Sequence, residues 1–345
     1  MKTTNILTIT FLYVLLFSCG SSSNDKKSDF SIKTNAPGNG ISLHETLNVS
    51  LKNPKNIAFD SVAYFLNDIK ITPSTPLNEQ KLGKQIIKAT VYLNGESQTV
   101  TQPLLILNDT PPTVYNFELL NEYPHDITSY TQGLEFYNKK LYESTGQYKE
   151  SKLRQVDFKT GEVLKNINLA NEYFGEGLTI LNDNLYQLTW QKGTGFVYDV
   201  NTLEKKSTFK YNNSKEGWGL CNDGKILYKS DGTEKIWILD PETLEEKDYI
   251  QIYTNKGKIG RVNELEWIDG KIYANIYQKD GVAIINPKNG AVEGVIDFSS
   301  LKKKVTQHQG LDVLNGMAFN PDTKTLFITG KRWDKMFEVK VTPKN

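Results

Sequence analysis

The dominant feature of the sequence is an internal repeat that begins near residue 130 and occurs five times. The copies are TQGLEFYNKKLYESTG, GEGLTILNDNLYQLTW, GWGLCNDGKILYKSDG, VNELEWIDGKIYANIYQ and LNGMAFNPDTKTLFITGK. Each has a short apolar segment, a turn and an apolar–aromatic pair. The spacings between equivalent positions are 44, 42, 45 and 52 residues, counted through Gln132, Glu176, Trp218, Asn263 and Asn315. A period in this range, filled by short strands, is typical of β-propeller blades.

The fifth copy is incomplete, and the segment before the first copy can complete it. Four copies continue with a second strand–turn–strand pattern, whereas the fifth ends after one strand, MFEVKV. The segment VYNFELLNEY (114–123) is the natural donor of the missing strand. Its pairing with residues 334–341 would close the ring and remove an open sheet edge. The sequence therefore predicts an all-β fold, with a five-bladed propeller over residues 114–345.

Residues 30–108 have a different pattern and predict a separate, smaller domain. Short alternating runs such as LNVSL and ATVYLNGESQTVT indicate strands, and Asn94-Gly95 is a strong hairpin signal. A series of such strands favours an immunoglobulin-like β-sandwich. The segment NDTPPT (108–113) is typical of a linker between the two domains.

The N-terminus predicts a lipoprotein signal peptide over residues 1–19. Lys2 precedes an apolar run over residues 6–17, which is short for a membrane span and ends in LLFSCG. This ending resembles a bacterial lipoprotein box with Cys19 as the lipidated residue, followed by a flexible tether over residues 20–29. The expected location is the bacterial cell envelope, lipid-anchored at its periplasmic face or surface. An ordinary cleaved signal peptide is the alternative. Cys221 then remains as a small buried residue rather than a nucleophile.

Charge and histidine content exclude two classes of partner. The formal net charge is +1, so no electrostatic footprint for nucleic acid is present. Only three histidines occur, His44, His125 and His308, and none has short-range metal-ligand spacing. The sequence therefore predicts neither nucleic-acid binding nor a bound metal ion at the functional site.

In a propeller, equivalent positions of the innermost strands meet at the central axis. The repeat positions used above carry different polar or aromatic residues in each copy, although the surrounding scaffold repeats. This divergence predicts a shared pocket to which each blade contributes a different side chain. Gly175 and Gly177 are expected to leave room around the Glu176 side chain. The ends of the second strands of the same hairpins are expected at the pocket rim: Glu143, Trp190, Asp231, Tyr277 and Lys331.

The motifs YTQGLEF, LYESTG, YFGEGLTIL, LYQLTW, EGWGL, RVNELEW, LNGMAF and ITGK occur in this order. Over residues 115–342 they resemble the plant- and bacterial-type glutaminyl-peptide cyclotransferases. The resemblance implies a five-bladed propeller that converts the N-terminal Gln of peptides or proteins to pyroglutamate and releases ammonia. It also implies independence from zinc, which the animal-type enzymes use on an α/β fold. No cofactor is expected to be required, a structural calcium ion is left open, and a monomer is expected.

The chemistry of this reaction suggests catalytic roles. The α-amine must lose a proton and the leaving ammonia must gain one, so Glu176 is the candidate general acid–base. Lys331 or Asn263 would stabilise the oxyanion of the tetrahedral intermediate. Glu143 and Asn315 are candidates for supporting positions behind these groups. The structural alternative is that Glu176 caps a turn or forms an ion pair with Lys331.

Substrate binding requires that a flexible Gln side chain be folded back on itself. Trp190 and Trp218 would wall an apolar pocket with Tyr130 beside them, and Gln132 would hydrogen-bond the substrate. Tyr277 stands where the family pattern usually has Trp, and Tyr130 replaces the usual Phe. Both changes bear on substrate preference more than on reaction type.

Two other classes of function fit a propeller. The first is a non-catalytic binding scaffold, because a fold does not dictate a function. The second is a calcium-dependent lactonase-like hydrolase, which would need several carboxylate or amide oxygens around the axis. The repeat positions offer only Glu176, Asn263 and Asn315 for that purpose. Metal content and turnover of a Gln-initiated peptide would separate the three.

Overall fold

A computed structural model describes residues 29–344 of the chain and is almost entirely β-structure. Besides its strands it has one short helix, α1 (Ser299–Lys302), and one 3-10 turn (Pro37–Asn39). No helix in this range is long and apolar enough to cross a membrane. The predicted signal peptide, Cys19 and the tether up to residue 28 lie outside the described residues.

The N-terminal part forms two sheets around one core. The strands are β1 (Ser31–Thr34), β2 (Gly40–Ser42), β3 (Thr46–Lys52), β4 (Ser61–Leu66), β5 (Ile69–Ile71), β6 (Ser74–Pro76), β7 (Gly83–Leu93) and β8 (Glu96–Leu107). The sheets are ordered β1–β3–β6 and β2–β8–β7–β4–β5, and both contribute to a core that includes Leu47, Ile87 and Leu104. The predicted hairpin joins β7 to β8, with Asn94 and Gly95 at φ values of 49° and 77°.

The repeated part, together with β9 (Thr113–Pro124) that precedes it, forms five groups of four strands. The first two groups are β10 (Thr131–Tyr137), β11 (Lys140–Thr145), β12 (Lys152–Val156), β13 (Val163–Asn168) and β14 (Gly175–Leu181), β15 (Asn184–Thr189), β16 (Thr194–Asp199), β17 (Lys205–Lys210). The third and fourth are β18 (Leu220–Asn222), β19 (Leu227–Ser230), β20 (Lys235–Leu239), β21 (Glu246–Gln251) and β22 (Val262–Ile268), β23 (Lys271–Ile276), β24 (Gly281–Ile285), β25 (Val292–Asp297). The fifth combines β9 with β26 (Leu314–Asn320), β27 (Thr325–Gly330) and β28 (Lys335–Pro343).

Strand β9 completes the fifth group, as the truncated last repeat predicts. It pairs antiparallel with β28 from Tyr115 opposite Pro343 to Pro124 opposite Lys335. Its first three residues also pair in parallel with β25, which joins the fourth and fifth groups into one eight-stranded sheet. The prediction that residues 114–123 pair with 334–341 is therefore confirmed.

The first strands of the five groups surround a common axis. Strand β10 contacts β14, β14 contacts β18, β18 contacts β22, β22 contacts β26, and β26 returns to β10. Backbones come very close at this level: a Cβ on Gly177 would lie 2.6 Å from the carbonyl oxygen of Trp218, and one on Gly219 would lie 2.0 Å from that of Asn263. The arrangement is propeller-like, and the function of these glycines is to let neighbouring strands touch. Gly177 was expected to leave room around the Glu176 side chain. Its missing Cβ instead leaves room for the backbone of the neighbouring strand.

The N-terminal unit packs against the outer edge of the third group. Lys81 Nζ lies 2.5 Å from an Asp248 carboxylate oxygen and donates to the Tyr249 carbonyl. Tyr253 and Ala291, which follow β21 and precede β25, are part of the N-terminal core. This contact stabilises both units and does not contribute to ring closure.

We expect two deletions to separate these contributions. Removing residues 20–110 keeps β9, so the ring still closes, but it exposes Tyr253 and Ala291 and should lower Tm without abolishing folding. Removing residues 20–123 also deletes β9 and leaves β28 as an open edge, so this protein should fail to give a cooperative thermal transition. Circular dichroism melting measures both. Equal melting of the two deletions would contradict closure through β9.

Candidate active site

A cavity of about 430 Å³ opens at one end of the axis and contains the eight residues predicted for catalysis and substrate binding. Three lining residues were missed by sequence reasoning because they lie in loops outside the equivalent repeat positions. The predicted residues that line it are Tyr130, Gln132, Glu176, Trp190, Trp218, Asn263, Tyr277 and Lys331, and the missed ones are Gln147, Tyr148 and Phe174.

Four of the five repeat positions lie at irregularities of the first strands. The register against the second strand shifts at Gln132, Glu176, Asn263 and Asn315. A β-bulge redirects a side chain out of the alternating pattern of a strand. The bulges explain how three of these side chains turn into the cavity while the rest of each strand stays in the sheet. Asn315 instead points to a neighbouring side chain.

Glu176 is held by a short chain of hydrogen bonds. Gln132 Nε2 donates to Glu176 Oε1 at 3.0 Å, and Asn315 Nδ2 donates to Gln132 Oε1 at 3.0 Å. Asn315 thereby fixes which end of the Gln132 amide faces the carboxyl. Ser144 Oγ donates to the backbone carbonyl of Glu176. Gln132 contacts the candidate acid directly, and Asn315 supports Gln132.

The Glu176 side chain is buried in an environment that favours its protonated form. The residue is 5% exposed. Burial raises the pKa of Glu176 well above the ordinary carboxyl value, the Lys331 cation opposes this shift, and the Glu216 carboxylate adds to it. A carboxyl with a raised pKa can take up and release a proton near neutral pH.

Lys331 is also buried, and two aromatic faces flank its ammonium group. Nζ lies 4.7 Å from the Tyr130 ring centroid and 5.1 Å from that of Tyr277. Burial lowers the pKa of Lys331, and Glu176 and Asp312 oppose this shift. No ion pair within 4.0 Å joins Glu176 to Lys331 among residues 29–344. The two charges therefore face one cavity without neutralising each other by contact.

Aromatic side chains form the remaining wall of the cavity. Phe174 packs edge-on to Trp190 with ring centroids 5.5 Å apart, and Trp218 packs at 90° to Tyr277 at 5.6 Å. Phe174 also contacts Tyr130 at 6.1 Å. The predicted apolar walls are present, and Phe174 connects two of them.

The rim positions predicted in the first and third repeats are corrected by the structure. Trp190, Tyr277 and Lys331 each lie five residues after the first residue of the apolar–aromatic pair of their repeat, and the residues at that position in the other two repeats are Gly146 and Gly232. A Cβ on Gly146 would lie 2.3 Å from the Phe174 ring, and one on Gly232 would lie 2.5 Å from the Trp218 ring. Glu143 and Asp231, which were expected at the rim, are not among the residues that line the cavity.

Glu143 lies inside β11, three residues before the rim, and does not line the cavity. It is 2% exposed and accepts hydrogen bonds from Thr131, Ser129 and His125, with His125 Nε2 at 3.0 Å. The pKa of Glu143 is lowered: burial acts to raise it, but the interactions with His125 and Arg154 outweigh burial. This carboxylate fastens the segment before β10 to the first sheet and supports the fold beside the site.

Comparison with known proteins identifies the family. A profile of the glutamine cyclotransferase family matches residues 87–341. The glutaminyl-peptide cyclotransferase of Arabidopsis thaliana is 42% identical over 236 residues, which are 68% of this chain and 73% of that protein. The chain belongs to the glutamine cyclotransferase family. The crystal structure of Myxococcus xanthus glutaminyl cyclase is 34% identical, with a TM-score of 0.63, and the match covers 68% of this chain and all of that one.

The part of this family member that the structure describes contains no group of three or more His, Cys, Asp or Glu side chains placed to hold a metal ion. Cys221 is a buried free cysteine, and burial raises the pKa of its thiol well above the ordinary value. The residues that converge on the cavity can supply acid–base, hydrogen-bonding and cationic groups from the chain itself.

The far end of the same axis holds two further carboxyls, the half-buried Glu135 and the buried Glu266, which line a second pocket there. Glu135 accepts from the backbone N–H of Ile180, and Glu266 accepts from that of Phe319. Burial raises the pKa of Glu135 to about 8, and burial together with Glu135 raises that of Glu266 well above 4.5. These groups lie at the opposite end of the axis from Glu176. Because their pKa values are raised in the folded protein, their protonation stabilises the fold at low pH.

We expect the free energy of unfolding to fall as pH rises from about 4.5 to about 8. The folded protein holds protons on these carboxyls that the unfolded chain releases at lower pH, so raising the pH favours unfolding. Glu135→Gln mimics the protonated form and should flatten this dependence, measured as Tm against pH. Glu172→Gln, a change at an exposed acid, should leave the slope unchanged. A Glu135→Gln protein with the wild-type slope would contradict this assignment.

Proposed function

We propose that this protein converts the N-terminal Gln of peptides or proteins to pyroglutamate and releases ammonia. The observation that carries the proposal is the buried Glu176 carboxyl, held by Gln132 in a cavity with aromatic walls and a buried lysine. The cavity of about 430 Å³ falls within the usual size range for a small-ligand pocket and would take a Gln residue. Membership of the glutamine cyclotransferase family supports this activity.

In the proposed reaction, the neutral α-amine of the substrate attacks the δ-carbon of its own side-chain carboxamide. The new C–N bond closes a five-membered ring, and the Glu176 carboxylate takes the proton that the amine loses. Glu176 then returns this proton to the amide nitrogen, the old C–N bond breaks, and ammonia leaves. One carboxyl serves both transfers, so no additional proton donor is required.

Lys331 and Asn263 would act on the substrate's polar atoms. The tetrahedral intermediate carries a negative oxygen, and the Lys331 ammonium is a buried cation positioned to stabilise it. Asn263 Oδ1 is buried and has no hydrogen-bond partner among residues 29–344. As an acceptor it suits an N–H of the substrate amine or carboxamide better than the oxyanion. We therefore assign the oxyanion to Lys331 and an N–H contact to Asn263.

The aromatic walls would hold the Gln side chain in its cyclising conformation. Trp190, Trp218, Tyr130 and Tyr277 enclose the space next to Glu176. Confinement of both reacting groups in one orientation is an effective source of rate acceleration for an intramolecular reaction. Gln132 would act mainly through Glu176, because both ends of its amide already have protein partners.

The domain organisation and the cellular location proposed for this protein are those that the sequence predicts. We propose that residues 114–345 are a five-bladed propeller and that residues 30–108 are an immunoglobulin-like domain, supported by the ring of first strands and the two-sheet N-terminal core. We also propose a lipid anchor at Cys19 that holds a monomer in the bacterial cell envelope. The LLFSCG motif supports the anchor. No cofactor is required by the proposed chemistry.

Glu176→Gln should lower kcat by at least about a hundredfold, the lower range for loss of a general acid–base group. The change keeps the shape and removes the titratable proton, so KM should stay near the wild-type value. Pyroglutamate formation from a short Gln-initiated peptide is followed by mass spectrometry or ammonia release. Glu172→Gln, in the same segment but exposed, is the matched control. Turnover of Glu176→Gln within a few-fold of wild type would remove Glu176 from the mechanism.

Lys331→Met should lower kcat and also move the acidic limb of its pH profile to higher pH. Activity requires the Glu176 carboxylate, so it falls as pH drops through the raised pKa of Glu176, above 4.5. Without the Lys331 cation that pKa rises further, whereas the substrate amine titrates as before. Lys303→Met, on an exposed loop, should not move the limb. A limb that stays in place or moves down in Lys331→Met would show that the two groups are not coupled.

A further inference from the structure

One carboxylate oxygen holds the two tryptophans of the cavity wall. Glu216 Oε2 accepts a hydrogen bond from Trp190 Nε1 at 2.8 Å and from Trp218 Nε1 at 2.8 Å. The other oxygen, Oε1, accepts from Gln191 Nε2 at 3.3 Å. Trp190 follows β15 and Trp218 precedes β18, so indoles from two different sheets meet at a single acceptor. Glu216 is not among the residues that line the cavity itself.

A buried ion pair anchors the loop that carries Glu216. Lys229 Nζ lies 3.0 Å from Glu246 Oε1, and both side chains are almost completely buried. Lys229 also donates to the backbone carbonyl of Glu216 at 2.8 Å, and Glu246 accepts from the backbone N–H groups of Asn213 and Ser214. A loop anchored through its backbone in this way presents the Glu216 carboxylate in a defined place.

We propose that Glu216 is the positioning residue for the substrate-binding wall: its carboxylate fixes the Trp190 and Trp218 indoles in the orientation that receives the N-terminal Gln side chain. The inference rests on the proposed function, which supplies the substrate. The carboxylate satisfies both indole N–H groups and leaves the ring faces to the substrate. Hydrogen bonds to a charged acceptor are stronger than those between neutral groups, so the orientation is held firmly.

The wall contacts the Gln side chain before and during cyclisation alike. An interaction that is equally strong in the ground state and the transition state lowers KM without raising kcat. Loss of the Glu216 acceptor should therefore appear mainly in KM. This distinguishes Glu216 from Glu176, whose removal affects kcat.

Glu216→Leu keeps a side chain of similar size but removes the acceptor. We expect KM for a Gln-initiated peptide to rise about tenfold, the effect of losing a hydrogen bond to a charged group, and kcat to change by less than about threefold. Glu216→Gln retains an amide oxygen that can accept from both indoles, so its KM should stay within about threefold of wild type. Acrylamide quenching of tryptophan fluorescence should increase in the Leu variant and remain near wild type in the Gln variant.

The pH profile separates geometry from charge. Both variants remove the negative charge that raises the pKa of Glu176, so in both the acidic limb of kcat should move to lower pH by the same amount. The other titratable groups around Glu176 stay in place; they are Lys331, Tyr130, Tyr211 and Tyr277. A shared pH shift with a KM effect only in the Leu variant is the expected signature.

Lys215→Ala is the matched control, because Lys215 is exposed in the same loop and should change neither KM nor quenching. Equal KM values for Glu216→Leu and wild type would overturn the proposal, as would equal losses in the Leu and Gln variants. If the Leu variant does not fold, the Gln variant decides: wild-type KM and quenching with a shifted acidic limb support positioning, and a tenfold KM rise contradicts it. Wild-type protein that makes no pyroglutamate would refute the proposed function, while the fluorescence comparison would still test the indole contacts.

Discussion

The site depends on the close approach of the five innermost strands. At Gly177 and Gly219 neighbouring backbones come so near that a Cβ would collide with the next strand. Because the axis has no room for side chains at this level, the residue before each of these positions is directed toward the open end of the ring. In the fourth repeat Glu264 stands in place of the glycine; it is fully buried, and its Oε2 has no hydrogen-bond partner among residues 29–344. The floor of the cavity is therefore made of backbone and one buried carboxyl.

Above this floor, burial acts on two opposite charges. It raises the pKa of Glu176 and lowers that of Lys331, so each group is moved toward its neutral form, while their mutual attraction opposes both shifts. Tyr130 and Tyr277 hold the ammonium by their ring faces, which keeps it beside the carboxyl without contact. A carboxyl in this balance can exchange a proton with a substrate amine. Direct pairing with the lysine would have stabilised the carboxylate and reduced that capacity.

The repeat determined how much could be predicted from the sequence. Pairing of β9 with β28 follows from one missing strand, and the convergence of Glu176, Asn263 and Lys331 follows from equivalent places in the repeat. The rim prediction for Glu143 was wrong because the equivalent place in the first repeat is Gly146, where the ring of Phe174 packs. Loop residues such as Phe174 carry no repeat signal. The acceptor shared by two indoles is a tertiary contact that a linear pattern does not encode.

Tyr130 and Tyr277, where the family resemblance implies Phe and Trp, have different surroundings, which gives them different consequences. Tyr130 Oη donates to Asp312 at 2.7 Å, so its hydroxyl is already bound by the protein. Within residues 29–344 the Tyr277 hydroxyl has no such partner, although its ring packs on Trp218 and faces Lys331. The aromatic faces that hold the cation are thus retained at both positions. The polar group newly offered to a bound peptide is the Tyr277 hydroxyl, on the wall where Trp218 and Lys331 meet, and substrate preference rather than reaction chemistry should depend on it.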